Sequence, residues 1–225
     1  MAVAVSWCRC PPLCTGLKKG HLFPTKFYCI YPILGEFHCT VMKSQSLLKR
    51  TNADIRTAVL LWHKDRVEAT ETYGPIGEWD TSLVTDMAAL FKGMRAFNED
   101  ITRWDTASVM SFHEMFYGAA SFNQPIGGWN TASVTNMAKM FLYATSFNQP
   151  LECWDMGRVT TLHEMFWEAS SFNQPLEQWN VANATDMGRL FCWAKAFNQP
   201  LGRWDTGRSS SMYEMFHGAR AFNQP

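Results

Sequence analysis

The sequence lacks any excess of charge, since 20 Lys and Arg are matched by 20 Asp and Glu, and its longest basic runs are the pairs Lys18-Lys19 and Lys49-Arg50. A nucleic-acid or anionic-membrane binder carries a basic patch, so neither partner class is predicted. Long hydrophobic runs are missing as well. The best candidate, "FYCIYPILGEF" from Phe27, is broken by Pro32 and Glu36, short of the roughly 20 apolar residues a spanning helix needs. No secretory signal is recognisable, because the short apolar run of "MAVAVSWCRC" meets Arg9 where small residues should follow. Cysteine is scarce outside the start of the chain: Cys8, Cys10, Cys14, Cys29 and Cys39 make up five of the seven. Their spacing does not form a paired C-x-x-C zinc framework, and an odd number cannot close into a disulfide set.

Catalytic signatures are also wanting. There is no nucleophile elbow, dinucleotide-binding turn or P-loop. His113-Glu114 and His163-Glu164 open an H-E-x-x-H zinc motif, but Tyr117 and Trp167 occupy the place of the second histidine. Cys153 and Cys192 are lone thiols, read as part of a core or close to one. The sequence therefore predicts no enzyme: no catalytic residue, no cofactor and no metal.

What the sequence does have is repetition. Phe-Asn pairs stand at 97, 122, 147, 172, 197 and 222, and a tryptophan follows seven residues after the first five phenylalanines, at Trp104, Trp129, Trp154, Trp179 and Trp204. Trp79 marks an earlier unit in which Thr72 replaces the phenylalanine. The spacing is constant from one copy to the next, without an insertion. A catalytic group is needed once, whereas a stacked array needs the same core residue in every turn, so the recurring Phe, Trp and Asn are read as structural. The asparagines are expected to bond to loop backbone in adjacent repeats.

With the phenylalanine as repeat position 0, position 14 holds Asp86, Ser111, Asn136, Thr161, Asp186 and Ser211, all residues that cap helix N-termini. Apolar residues follow at positions 15, 18, 19 and 22, as in Met137, Met140, Phe141 and Ala144. This i, i+3, i+4, i+7 stripe predicts a short amphipathic helix in each repeat. The other half, "QPLEQWNVANAT" in one copy, predicts a short strand or arc. Helices are wider than strands, so the array should curve with its strands on a concave side. Residues 51–73 open with Thr51 and Asp54 at capping-box spacing and predict a helical N-terminal cap. The expected organisation is an aperiodic leader over 1–50, a disordered tail or an incorrect gene start, then the cap over 51–73 and repeats over 74–225. Pro225 stops four residues into a new repeat, which predicts a fragment with an open end available for self-association.

"FNQPLEQWNVANATDMGRLF" and "WDTSLVTDMAALF" resemble the repeats of BspA-type leucine-rich-repeat surface proteins, over residues 52–225. The resemblance implies an α/β fold, a curved leucine-rich-repeat-like solenoid of about six repeats, and placement at the cell surface or in secretion, without catalytic residues. The expected function is a binding module for a protein or glycan, of the adhesin type, and the rival is a spacer array with no specific ligand. Positions that neither core nor caps claim single out Arg103, Glu152, Arg158, Glu177, Arg203 and Arg208 as the partner-binding patch.

Overall fold

Residues at the two ends of a four-residue turn are three apart, as are residues one turn along a helix, so an apolar stripe at positions 15, 18, 19 and 22 has two structural solutions. The protein takes the turns. A computed structural model describes residues 48–225; the leader up to residue 47, with its five cysteines, lies outside the described residues. From residue 49 on, the α-helices are α1 (Ile55–Lys64) and α2 (Arg66–Tyr73), and the helix expected in each repeat is not formed.

The backbone hydrogen bonds show what replaces it. Leu90 N–H donates to the Met87 carbonyl and Met94 N–H to the Phe91 carbonyl, closing two consecutive four-residue turns, 87–90 and 91–94. In each turn the third residue is left-handed: Ala89 at φ 57° and Gly93 at φ 75°, as a type II turn requires. The N–H groups between these closures point to the next repeat. Met87, Ala89, Phe91 and Gly93 donate to the carbonyls of Ser111, His113, Met115 and Tyr117 in the following repeat, at 2.6–3.1 Å. A helix would have kept all these bonds within one repeat. Alternating turn and cross-repeat bonds instead satisfy the backbone and tie each repeat to its neighbour.

The rest of the repeat is built from turns too. Trp104 N–H closes on the Ile101 carbonyl and Val109 N–H on the Thr106 carbonyl, with equivalents in the repeats that follow. The expected strand is confined to β2 (Asp80–Leu83), which pairs in parallel with β1 (Lys49–Thr51). Beyond β2 only single bridges run up the array, Asp86 to Ser111 to Asn136 to Thr161 to Asp186 to Ser211. These are the residues expected as helix caps. Their side chains do bond the backbone two residues on, as Asp86 Oδ1 accepts from Ala88 N–H at 2.9 Å and Asn136 Oδ1 from Ala138 N–H at 2.9 Å, but they start turns. With no helix in the repeats, a concave strand side loses its physical cause.

The turn ends point inward and form ladders. Phe91, Phe116, Phe141, Phe166, Phe191 and Phe216 stack on one another at 5.5–5.7 Å, nearly parallel. A second phenylalanine column at position 0 stacks at 5.9–6.1 Å. The two columns meet within each repeat at 3.8–4.1 Å. Complete burial of such a ring contributes about 1.5–3 kcal/mol, and ring pairs add about 0.5–1.5 kcal/mol. In the column from Trp104 to Trp204 each indole N–H donates into the previous repeat, as Trp129 does to the Ile101 carbonyl at 3.3 Å and Trp179 to that of Leu151 at 2.9 Å, so these buried donors are all met.

Asparagine forms a polar column beside these. Asn98 Oδ1 accepts from Asn123 N–H, and the same bond recurs through Asn223 at 2.9 Å each time, with Gln124 and its equivalents donating to the same oxygens or their backbone carbonyls. The side-chain amide takes the place of a backbone acceptor, as expected for the recurring Asn.

At the N-terminal end, side chains imitate a preceding repeat. Asn52 Oδ1 accepts from Thr85 and Asp86 N–H at 2.9 and 3.2 Å, and Arg56 donates to the Ala88 carbonyl and pairs with Asp86 at 2.9 Å. In later repeats, the counterparts of Thr85 N–H and the Ala88 carbonyl bond to the backbone of the repeat before. Ile55, Ala58 and Val59 of α1 are buried in the core and Trp62 lies edge-on to Trp79 at 6.3 Å. Arg50, buried and paired with Asp54, lies 5.7 Å from the centre of the Trp79 ring, which extends the unit back through β1 into what was read as leader. The capping box is half made: Asp54 accepts from Thr51 N–H at 2.7 Å, and α1 begins after it.

A turn and a helix respond oppositely to glycine at Ala89. In the left-handed position, Ala89→Gly relieves about 1 kcal/mol and should raise the melting temperature by about 2–4 °C. In a helix the same change would cost about as much. Thermal unfolding of the full chain followed by circular dichroism decides between them, and a drop would contradict the turn assignment.

Candidate functional surface

The turns that point core residues inward necessarily point other residues out. Two rows of turn tips lie at positions 5–6 and 10–11, between the closures of Trp104 on Ile101 and Val109 on Thr106 and their equivalents. The six residues singled out in the sequence fall on these tips. Arg103, Glu152, Glu177 and Arg203 belong to the first row, Arg158 and Arg208 to the second; all are exposed except the half-buried Glu177. They form two rows of turn corners. The structure brings together Arg203 and Glu177, 3.7 Å apart, and hydrogen-bonds Arg208 to Asn183 Oδ1 at 2.7 Å. Both contacts link neighbouring repeats. Beside Glu152, the bare Gly127 and Gly128 leave a shallow cleft between Pro125, Pro150 and Cys153.

On the other side, the outer corners of the two consecutive turns lie at positions 16–17 and 20–21. Position 17 carries a charge ladder. Glu164 sits 3.6 Å from both Lys139 and Arg189, and Arg189 reaches Glu214 at 2.6 Å. His163 bridges Glu164 at 3.2 Å and Asp186 at 3.5 Å. Partial burial pushes the Glu114 carboxyl up, but Lys92, hydrogen-bonded to it at 2.7 Å, together with His113 and Lys139, outweighs this and holds it below the ordinary glutamate range. These glutamates occupy left-handed turn positions, Glu114 at φ 56° and Glu164 at φ 57°.

Positions 20–21 carry aromatic side chains that sequence reasoning passed over. Tyr117 and Tyr143 meet edge to face with ring centres 5.8 Å apart, Trp167 follows 6.3 Å beyond, and Lys92 lies 4.9 Å from the centre of the Tyr117 ring. A groove of about 490 Å³ opens there, lined by Gly93, Arg95, Tyr117, Gly118, Ala120, Tyr143 and Thr145. Burial first, and the Glu168 carboxylate next, raise the Tyr143 phenol above its ordinary value, so it remains a hydroxyl at neutral pH. A helical reading made positions 20 and 21 ordinary solvent-facing sites. The signal was large aromatics at positions the core does not claim.

Among the described residues, no group of three His, Cys, Asp or Glu side chains is arranged to hold a metal ion. No helix among them is long and apolar enough to cross a membrane. The Cys192 thiol is raised above its usual range by burial, which keeps it protonated and unreactive.

The family described as Mycoplasma protein of unknown function, DUF285, matches residues 64–160 and 144–225, and the chain belongs to it. No curated protein and no solved structure gives a match.

Two measurements check the outer-corner electrostatics. Reversing Lys139 and Arg189 to Glu should lower the melting temperature, more at low salt than at high, since each surface pair contributes at most about 1 kcal/mol and is screened; an equal loss at both salts would reject the ladder. For Lys92→Ala the sign follows from the lowered Glu114 value. A carboxyl that titrates lower in the fold contributes above its unfolded value, about 4.3, and the contribution is lost as pH falls through the folded value. The variant should therefore be less stable than the parent at pH 7 and converge with it in denaturant titrations below about pH 4.

Proposed function

We propose that the chain is a non-catalytic module that presents a surface to a macromolecular partner, protein or glycan, in the manner of the BspA-type leucine-rich-repeat adhesins it resembles. The observation that carries this reading is the division of labour within each repeat. Inward turn ends repeat the same Phe, Trp, Met and Asn, while the tips vary in size and charge: Arg103, Gly128, Cys153, Gln178 and Arg203 follow one another at position 6. A scaffold gains nothing from such variety, whereas recognition by charged and polar tips depends on it.

The spacer reading has one observation of its own. Arg203 with Glu177 and Arg208 with Asn183 spend part of their interaction capacity on neighbouring repeats. An array of immobilised glycans and surface proteins probed with the full chain separates the two. Binding should saturate on at least one ligand, and Arg158→Ala, Arg203→Ala and Arg208→Ala combined should weaken it about tenfold while stability stays within about 1 kcal/mol. A blank array favours the spacer.

A further inference from the structure

We infer that the groove lined by Tyr117 and Tyr143 is a site for a carboxylate-bearing sugar. The inference rests on the module reading above and names the ligand for one face of it.

The floor of the groove is open by construction. Position 21 is left-handed in every repeat; Gly93 at φ 75° and Gly118 at φ 71° meet this without a side chain, and a Cβ built on Gly93 would touch nothing within 4 Å. Tyr143 occupies the equivalent position at φ 59°, a conformation that disfavours a bulky residue by about 1–2 kcal/mol. The fold thus holds a tyrosine where glycine fits better, at the wall of a notch that two glycines keep empty.

The walls suit a pyranose. Tyr117 and Tyr143 touch edge to face, with centres 5.8 Å apart at 77°, so a ligand in the groove packs beside the pair, on a ring face that the contact leaves bare. The C–H groups on a sugar face carry slight positive charge and pack on the negative face of an aromatic ring. Its hydroxyls then reach the Tyr143 phenol and the Thr145 hydroxyl at the rim. A volume of about 490 Å³ lies within the roughly 300 to 1,000 Å³ of small-ligand clefts.

Charge selects an acidic sugar. Arg95 is exposed and has no ion pair among the described residues, whereas Lys92 is held by Glu114 and Arg189 by Glu164 and Glu214 on the same side of the array. A guanidinium left free beside an apolar groove offers a two-pronged donor to a carboxylate. An extended peptide is disfavoured because strand addition needs free backbone donors. The N–H groups of Gly93, Arg95, Gly118, Ala120, Tyr143 and Thr145 are all engaged within the array. Recognition there is left to side chains.

Calorimetric titration of the full chain with 3′-sialyllactose, lactose and a short acidic peptide tests the site. Sialyllactose should saturate it, lactose should bind at least about tenfold more weakly, and Arg95→Ala should bring sialyllactose down to the lactose level. Tyr143→Gly should weaken sialyllactose by a similar factor while the melting temperature holds or rises, since the backbone strain is relieved; a purely structural tyrosine would lower it. The proposal is overturned if sialyllactose does not saturate, if Arg95→Ala leaves its affinity within about twofold, or if the acidic peptide binds more tightly than either sugar. Should sialyllactose fail while an array ligand still depends on Arg158, Arg203 and Arg208, the groove assignment alone falls. A blank array as well would remove the module reading with it.

Discussion

Every repeat depends on a backbone that cannot satisfy itself. Only alternate N–H groups between positions 15 and 22 close turns inside the repeat, and the others find their acceptors in the repeat that follows. An isolated repeat would leave four donors per turn pair to water and expose two phenylalanines and a tryptophan. Stability is therefore a property of neighbours, and every interior residue is selected for what it does to the repeats on either side. The ring columns, the indole donors and the asparagine column all obey this constraint, because each interaction joins a residue to its own counterpart in the adjacent repeat or to a residue close to that counterpart in the chain.

The same constraint explains the ends. A first repeat has acceptors and donors facing outward with no predecessor. Asn52 and Arg56 supply those groups from side chains, which is possible because an amide and a guanidinium carry the same donors and acceptors as the backbone they replace. Burying Ile55, Ala58 and Val59 of α1 in one core with Trp79 and Val84 closes the apolar side at the same time. Polar mimicry and hydrophobic closure are both required, since covering the core alone would leave buried backbone groups unpaired.

The period, the inward positions and the roles of Phe, Trp and Asn were legible in the sequence because each is a direct count of what recurs. The conformation joining the inward positions was not. Residues three apart, such as Met87 and Leu90 or Phe91 and Met94, lie on one side of either a helix or a turn, and the side-chain oxygen of Asp86 begins both with the same bond to the backbone. The discriminating signal was present at Gly93, Gly118 and Gly218, glycines recurring within a supposed helix where they mark left-handed turn corners. Tyr143, Glu168 and Trp193 in the same position obscured it. With the helix misassigned, the Tyr117 and Tyr143 side was left unread.

That masking by Tyr143 and Trp193 bears on function. Left-handed positions at the outer corner tolerate glycine best, so a purely architectural repeat would converge on glycine at position 21, as three of the six described copies do. Residues that keep a bulky ring there at a cost of about 1 kcal/mol or more hold it against the preference of the backbone. Core packing does not require them, for Tyr143 is 36% exposed and lies outside the buried core, and glycine serves in its place elsewhere in the array. The interior of the array is thus under one set of constraints and its corners under another. The corners where the sequence departs from the conformationally cheapest residue are where recognition is to be sought.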